Sequence, residues 1–286
     1  MTADGYPVVS AIHIVSDTHY PPSGYQNGPW ESKSGKLSVI RSIVEKLWQR
    51  RSRTAQYYDA TFCGQKHNGV SLTCKMQEEL RLYYKTPPQM RSKWFCHFDD
   101  DVYVNIFNLI KALKQLGDPE KKALYVGKKA AFLPHGMNIT YGLSSSEERW
   151  RSLVWAVGPA VCLSSRLMNM MQSVLEQDDH PANILAAARR LDETVGDDIL
   201  VAIFITEHLR IPLTNVERMY SVFDKLNTLG TPDLEAAVVL TQSKENFFHL
   251  PDDKPVAFSP SGSLQTKFSG LHRHLKRTLP YLNNKC

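Results

Sequence analysis

The chain has 286 residues, 42% of them hydrophobic and 22% charged, with a formal net charge of +5. This is the composition of a folded globular protein and not of a disordered or collagen-like one; the length fits one large α/β domain or two small ones. No stretch reaches the ~18 apolar residues of a transmembrane helix, and the start, MTADGYPVVSAIHIV, lacks the basic region and apolar core of a signal peptide.

The positive excess is local. Glu31 to Arg53 holds seven Lys/Arg against two Glu, and Ser263 to Cys286 holds five basic residues and no acid. Solvated helix faces and a solvated tail account for these better than a nucleic-acid groove or an anionic membrane surface. No nucleic-acid partner is therefore expected. If the protein works in the secretory pathway, its anchor lies outside this sequence.

In chain order, VVSAIHIV (8–15) is rich in β-branched residues and predicts a strand. Residues 19–30 predict a loop, with Pro and Gly packed among polar residues. Leu37, Ile40, Ile43, Val44, Leu47 and Trp48 fall at helical spacing and predict an amphipathic helix over 36–51. YYDATFC (57–63) is a second strand candidate, so the opening suggests a βαβ unit and a parallel sheet. A helix over 71–84, closed by Pro87-Pro88, precedes the strand KWFCHF (93–98). Ile106, Leu109, Ile110 and Leu113 mark another helix, ALYVG (123–127) a short strand, and 128–150 a long loop. LVWAVGPAVCLS (153–164) is apolar with a Gly-Pro interruption. Helices follow at 165–176 and about 183–191. Gly196-Asp197-Asp198 opens the apolar helix ILVAIFITEHL, whose end Pro212 limits. The alternation of strands and helices favours a single α/β domain over 1–286.

The run Asp99-Asp100-Asp101 follows a strand-forming stretch, although acids repel one another and form strands poorly. In an extended chain Asp99 and Asp101 share a side and Asp100 faces away. Two carboxylates on one side suit a hard cation such as Mg²⁺ or Mn²⁺, and ligands of open α/β sheets sit beyond the carboxyl ends of strands. Such a cation keeps positions open for phosphate oxygens, which fits a nucleoside-diphosphate substrate. A solvated acidic turn or a helix cap explains the same letters, and these readings stay open on sequence mechanics alone.

KWFCHFDDDVYVN (93–105) closely resembles the acidic motif of the Fringe glycosyltransferases, inverting β-1,3-N-acetylglucosaminyltransferases that extend O-linked fucose on EGF-like repeats of Notch-type receptors. SLTCKM (71–76) and ALYVGK (123–128) resemble neighbouring family segments. The likeness is good from Cys63 to Lys128, patchy to about Pro212 and faint elsewhere. This divides the chain into a weakly matched nucleotide-side part (1–62), a best-matched catalytic part (63–213) and a divergent C-terminal part (214–286).

The resemblance implies a single GT-A-like domain with a Rossmann-type mixed, mostly parallel sheet flanked by helices. It implies transfer of N-acetylglucosamine from UDP-GlcNAc to a fucosylated EGF-repeat protein, with Mn²⁺ held by Asp101 and Asp99. Asp99 and Asp100 would also contact the donor. Asp198 would be the general base, supported by Asp197; plain helix capping is the alternative reading of that pair. By the same resemblance Cys63 pairs with Cys74 and Cys96 with Cys162, which places the protein in an oxidising compartment, the Golgi lumen or outside the cell. Cys286 is left over. Asn138-Ile139-Thr140 is a sequon and a glycosylation candidate.

Several positions depart from the family pattern. Met219-Tyr220-Ser221-Val222-Phe223 stands where the family has Phe-His-Ser-His and a histidine metal ligand; His249, downstream, has no spacing argument for that role. Val157-Gly158-Pro159-Ala160 replaces Gly-Gly-Ala-Gly, and the added side chains are expected to narrow the pocket. Asp17, after the first strand, is a nucleotide-binding candidate. Leu250-Pro251-Asp252-Asp253 copies the letters of the base motif but reads as a turn. The alternatives to a Fringe-type enzyme are a β-1,3-galactosyltransferase and an inactive relative that binds glycans or a partner protein.

Overall fold

The computed structural model describes residues 12–16, 55–64, 66, 68–99, 102–130, 153–180, 182–190, 195–221, 223–224, 228–241, 247–248 and 256–257. Of the predicted elements and residues, the helix over 36–51, Asp17, Asp100, Asp101, Asn138, His249, the Asp252-Asp253 pair and Cys286 lie outside the described residues.

Strands β1 (Ile12–Ser16) and β2 (Ala55–Asp59) pair in parallel, as the opening βαβ reading requires. The second predicted strand stops early: Thr61–Cys63 turns as a short 3₁₀ helix, because Cys63 closes onto the next helix. That helix, α1 (Gly69–Lys85), is capped by Asn68, whose side-chain oxygen accepts the Ser71 N–H at 3.0 Å. It buries Met76, Leu80, Leu82, Tyr83 and Tyr84, the face expected from helical spacing.

The central sheet orders its strands β3 (Trp94–Phe98), β6 (Trp155–Ser164), β5 (Tyr125–Ala130) and β7 (Leu213–Asn215). β6 runs antiparallel to both neighbours, and only β5 and β7 are parallel. Beside it, β4 (Val102–Val104) pairs antiparallel with β8 (Val239–Thr241), and β9 (Phe247–Phe248) with β10 (Val256–Ala257). The expectation of a mostly parallel sheet is therefore wrong for the described residues: the sheet is mixed, with antiparallel pairs in the majority. Strand–helix alternation suggests crossovers, but the long β6 enters the middle of the sheet in the opposite direction. Alternation along the chain cannot register that reversal.

The flanking helices are α2 (Ile106–Gln115), α3 (Ser165–Leu175), α4 (Ile184–Ala188), α5 (Asp197–Ala202) and α6 (Thr231–Ala236). One large core gathers α1, α3, α4, α5 and one face of β6 around Trp155, Leu163, Met168, Met171 and Phe204. A second lies on the other face, where Ala160 and Cys162 meet Leu109, Leu113, Val126 and Val239. The hydroxyl of Tyr84 donates to the Met168 carbonyl at 2.7 Å, and the Arg81 guanidinium donates to the Leu175 carbonyl at 2.9 Å, fastening α1 to α3.

Both disulfides expected from the resemblance are formed. Cys63–Cys74 fixes the start of α1. Cys96 and Cys162 stand directly opposite in the antiparallel β3–β6 pair, with their Cα atoms 4.1 Å apart. No helix among the described residues is long and apolar enough to cross a membrane.

Candidate active site

The site grows from the β3–β6 register. Phe98, the last residue of β3, pairs with Ala160. The chain then leaves the strand at Asp99, whose side chain is 48% exposed. Running back along β6 from Ala160, Gly158 adopts φ +25° and donates its N–H to Asp198 Oδ2 at 2.9 Å. Asp198 sits in the first turn of α5, where Gly196 offers no side-chain cap. The tip of β3 and the start of α5 are thus joined through two residues of β6, although about 100 positions separate them in the chain.

Asp198 is firmly held. Besides the Gly158 bond, its Oδ1 accepts the Ile199 N–H at 2.8 Å. Burial raises the carboxyl above the ordinary carboxylate range against the pull of these donors, and the charge of Asp99 adds to the rise. Asp197 is pushed up to about 7, first by burial and then by the charge of Asp198, with Asp99 contributing and His97 opposing. The β3–β6 register thus brings the strand end that precedes Asp99 to within two residues of β6 from the glycine that holds Asp198.

Sequence reasoning missed His97 and Glu79. His97 lies two residues before Asp99, so strand alternation puts both on one side. Its Nε2 is 3.0 Å from Asp99 Oδ1, and its Nδ1 is 2.5 Å from Glu79 Oε2 on α1. The imidazole is 11% exposed. Burial disfavours its charged form, but Glu79 and Asp99 prevail and hold the ring well above the usual histidine range. The i, i+2 relation to Asp99 was readable in the sequence; the arrival of Glu79 from another element was not.

Val157 and Ala160, which replace family glycines, turn away from solvent. Both are buried, Val157 in the large core and Ala160 in the second one. Gly158 keeps the open position: a Cβ there would meet only Asp198 Oδ2, at 4.0 Å. The Pro159 side chain lies outside the described residues.

The segment replacing Phe-His-Ser-His lies alongside β8. Met219 bridges Val239, Tyr220 N–H donates to the Val239 carbonyl at 2.9 Å, and Thr241 Oγ1 donates to the Tyr220 carbonyl at 2.9 Å. Since Thr241 pairs with Val102, this segment runs close to the chain leaving the acid run. Val222, at the histidine position, lies outside the described residues. The turn that follows is closed by Asp224, which accepts from Ser221 N at 2.7 Å and pairs with Lys128.

Asp99 offers carboxylate oxygen at a half-exposed strand end, a donor type suited to a hard divalent cation. Among the described residues no group of three His, Cys, Asp or Glu is arranged to hold an ion.

Residues 43–262 match the family model described as Fringe-like. Mouse β-1,3-N-acetylglucosaminyltransferase lunatic fringe is 26% identical over 225 residues, covering 77% of this chain and 55% of the mouse protein. The Drosophila melanogaster Fringe glycosyltransferase is 26% identical over 171 residues, 60% of this chain and 39% of that protein. Zebrafish manic fringe is 27% identical over 203 residues, 66% of this chain and 50% of its own length. The chain thus spans little more than half the length of the mouse protein.

Proposed function

Because the chain belongs to the Fringe-like family, we propose that it is an inverting glycosyltransferase that moves N-acetylglucosamine from UDP-GlcNAc to O-linked fucose on EGF-like repeats. The observation that carries this reading is the register by which the strand end before Asp99 meets, through Ala160 and Gly158 of β6, the carboxylate of Asp198. An inverting transfer needs a donor-holding group on one side and a base on the other.

In this reading Asp198 takes the proton of the acceptor hydroxyl. That oxygen then bonds to the anomeric carbon, the bond to the diphosphate breaks, and UDP leaves with the pair of electrons. The N–H groups of Gly158 and Ile199 fix the orientation of the carboxylate. Burial raises its basicity, which favours proton abstraction. Asp197 reinforces that basicity by its proximity. Asp99 and Asp101 would hold Mn²⁺, which would supply positive charge for the departing diphosphate, and Asp100 would contact the donor. A GT-A-like arrangement and an oxidising location such as the Golgi lumen go with this reading, the latter supported by the two disulfides.

The absence of both family histidines, where Tyr220 and Val222 stand, favours a second reading, a relative that binds without turnover. A transfer assay decides between them: fucosylated EGF repeat as acceptor, Mn²⁺ present, and UDP-GlcNAc and UDP-galactose offered separately. Transfer from UDP-GlcNAc supports the proposal, and transfer from UDP-galactose alone replaces the donor. No transfer or donor hydrolysis by protein that binds UDP leaves the binding reading.

A further inference from the structure

The Glu79–His97–Asp99 line is more than a packing contact. We propose that His97 is a positioning residue for the donor site, clamped by Glu79 so that its second ring nitrogen fixes the carboxylate of Asp99. The proposal rests on the transferase reading, because it assigns Asp99 to the donor and its cation.

Three elements meet here. Asp99 lies just past the end of β3, and its side chain is half exposed. Ordering an exposed carboxylate at the moment of binding costs entropy, and the contact with His97 lowers that cost. The two nitrogens of an imidazole ring diverge, so one ring can hold two acceptors on opposite sides. Nδ1 meets Glu79 Oε2 at 2.5 Å and Nε2 meets Asp99 Oδ1 at 3.0 Å. Glu79 comes from α1, which is anchored by the Cys63–Cys74 disulfide and buries Met76 and Leu80 on either side of it in the helix. The rigidity of the core therefore reaches Asp99 through one ring. This is the arrangement in which an outer partner tunes a ligating carboxylate, and loss of such a partner typically lowers metal affinity by about 10–100-fold.

The test combines a spectroscopic signature with binding, using the protein selectively labelled with ¹⁵N-histidine. Asp99→Asn should shift one His97 ring nitrogen and Glu79→Gln the other, at constant pH. In calorimetry with UDP and Mn²⁺, Glu79→Gln and His97→Gln should each weaken binding about tenfold or more, while the melting temperature of Glu79→Gln stays near that of the wild type. Glu79→Gln is nearly isosteric and decides the matter if His97→Gln does not fold. Folded variants that bind as well as the wild type, or ring signals indifferent to Asp99→Asn, overturn the positioning role alone. A wild-type protein that binds neither UDP nor Mn²⁺ overturns the donor-site reading and this role with it.

Discussion

The backbone N–H of Gly158 reaches Asp198 Oδ2 at 2.9 Å, so a strand in the middle of the sheet orients a carboxylate at the start of a helix. The bond depends on a backbone turn at φ +25°, which side-chain-bearing residues rarely adopt.

Gly158→Ala tests that dependence. There is room for the methyl group, whose only near neighbour is Asp198 Oδ2 at 4.0 Å, so the penalty comes from the backbone. We expect a loss of ~1–3 kcal/mol in stability and a larger proportional fall in transfer rate as Asp198 loses its donor. Denaturant melts and initial rates measure the two. Unchanged activity in a destabilised protein would show that the bond only supports the fold.

Asp198→Asn keeps the shape of the side chain and removes the base. Transfer should fall by about 10²–10⁴-fold, while UDP binding, measured by calorimetry, stays within a few-fold. A loss of UDP binding equal to the loss of rate would move Asp198 from proton transfer to donor binding.

Asp197 predicts a pH dependence of stability in protein stripped of divalent cations. Its carboxyl is pushed up to about 7 from an ordinary 3.8. The native state therefore holds this proton more tightly than the unfolded chain does. The resulting stabilisation is full below pH ~4 and is lost as pH rises through about 7. Asp197→Asn, which never ionises, should show a flatter profile over that window, with a difference of up to ~4 kcal/mol. Urea midpoints at several pH values check this; parallel profiles for the two proteins would count against a raised Asp197.

The disulfides differ in reach. Cys96–Cys162 spans 66 residues and Cys63–Cys74 spans 11. Loop-closure entropy then predicts a loss of about 4 kcal/mol for Cys96→Ala/Cys162→Ala and about 3 kcal/mol for Cys63→Ala/Cys74→Ala. Removal of the first pair should also loosen the β3–β6 junction and reduce UDP binding. Thermal melts and calorimetry on the two double variants would reveal any reversal of that order.

The residue letters by themselves determined the local elements with strong periodicity. The apolar faces of α1 and α2, the strands expected over 93–98 and 123–127, the latter running on to Ala130 into the expected loop, and the helix opened by Asp197 and Asp198 are set by side chains within a few turns of one another. The family resemblance added the pairing of both disulfides, which are formed, and the reading of the acid run and of Asp197-Asp198 as site residues. Only the tertiary structure decided the direction of β6, the retreat of Val157 and Ala160 into the cores, and the arrival of Glu79 at His97. Each depends on which distant surfaces meet. Periodicity carries the face a residue shows to its own helix or strand, but not the identity of the element packed against that face.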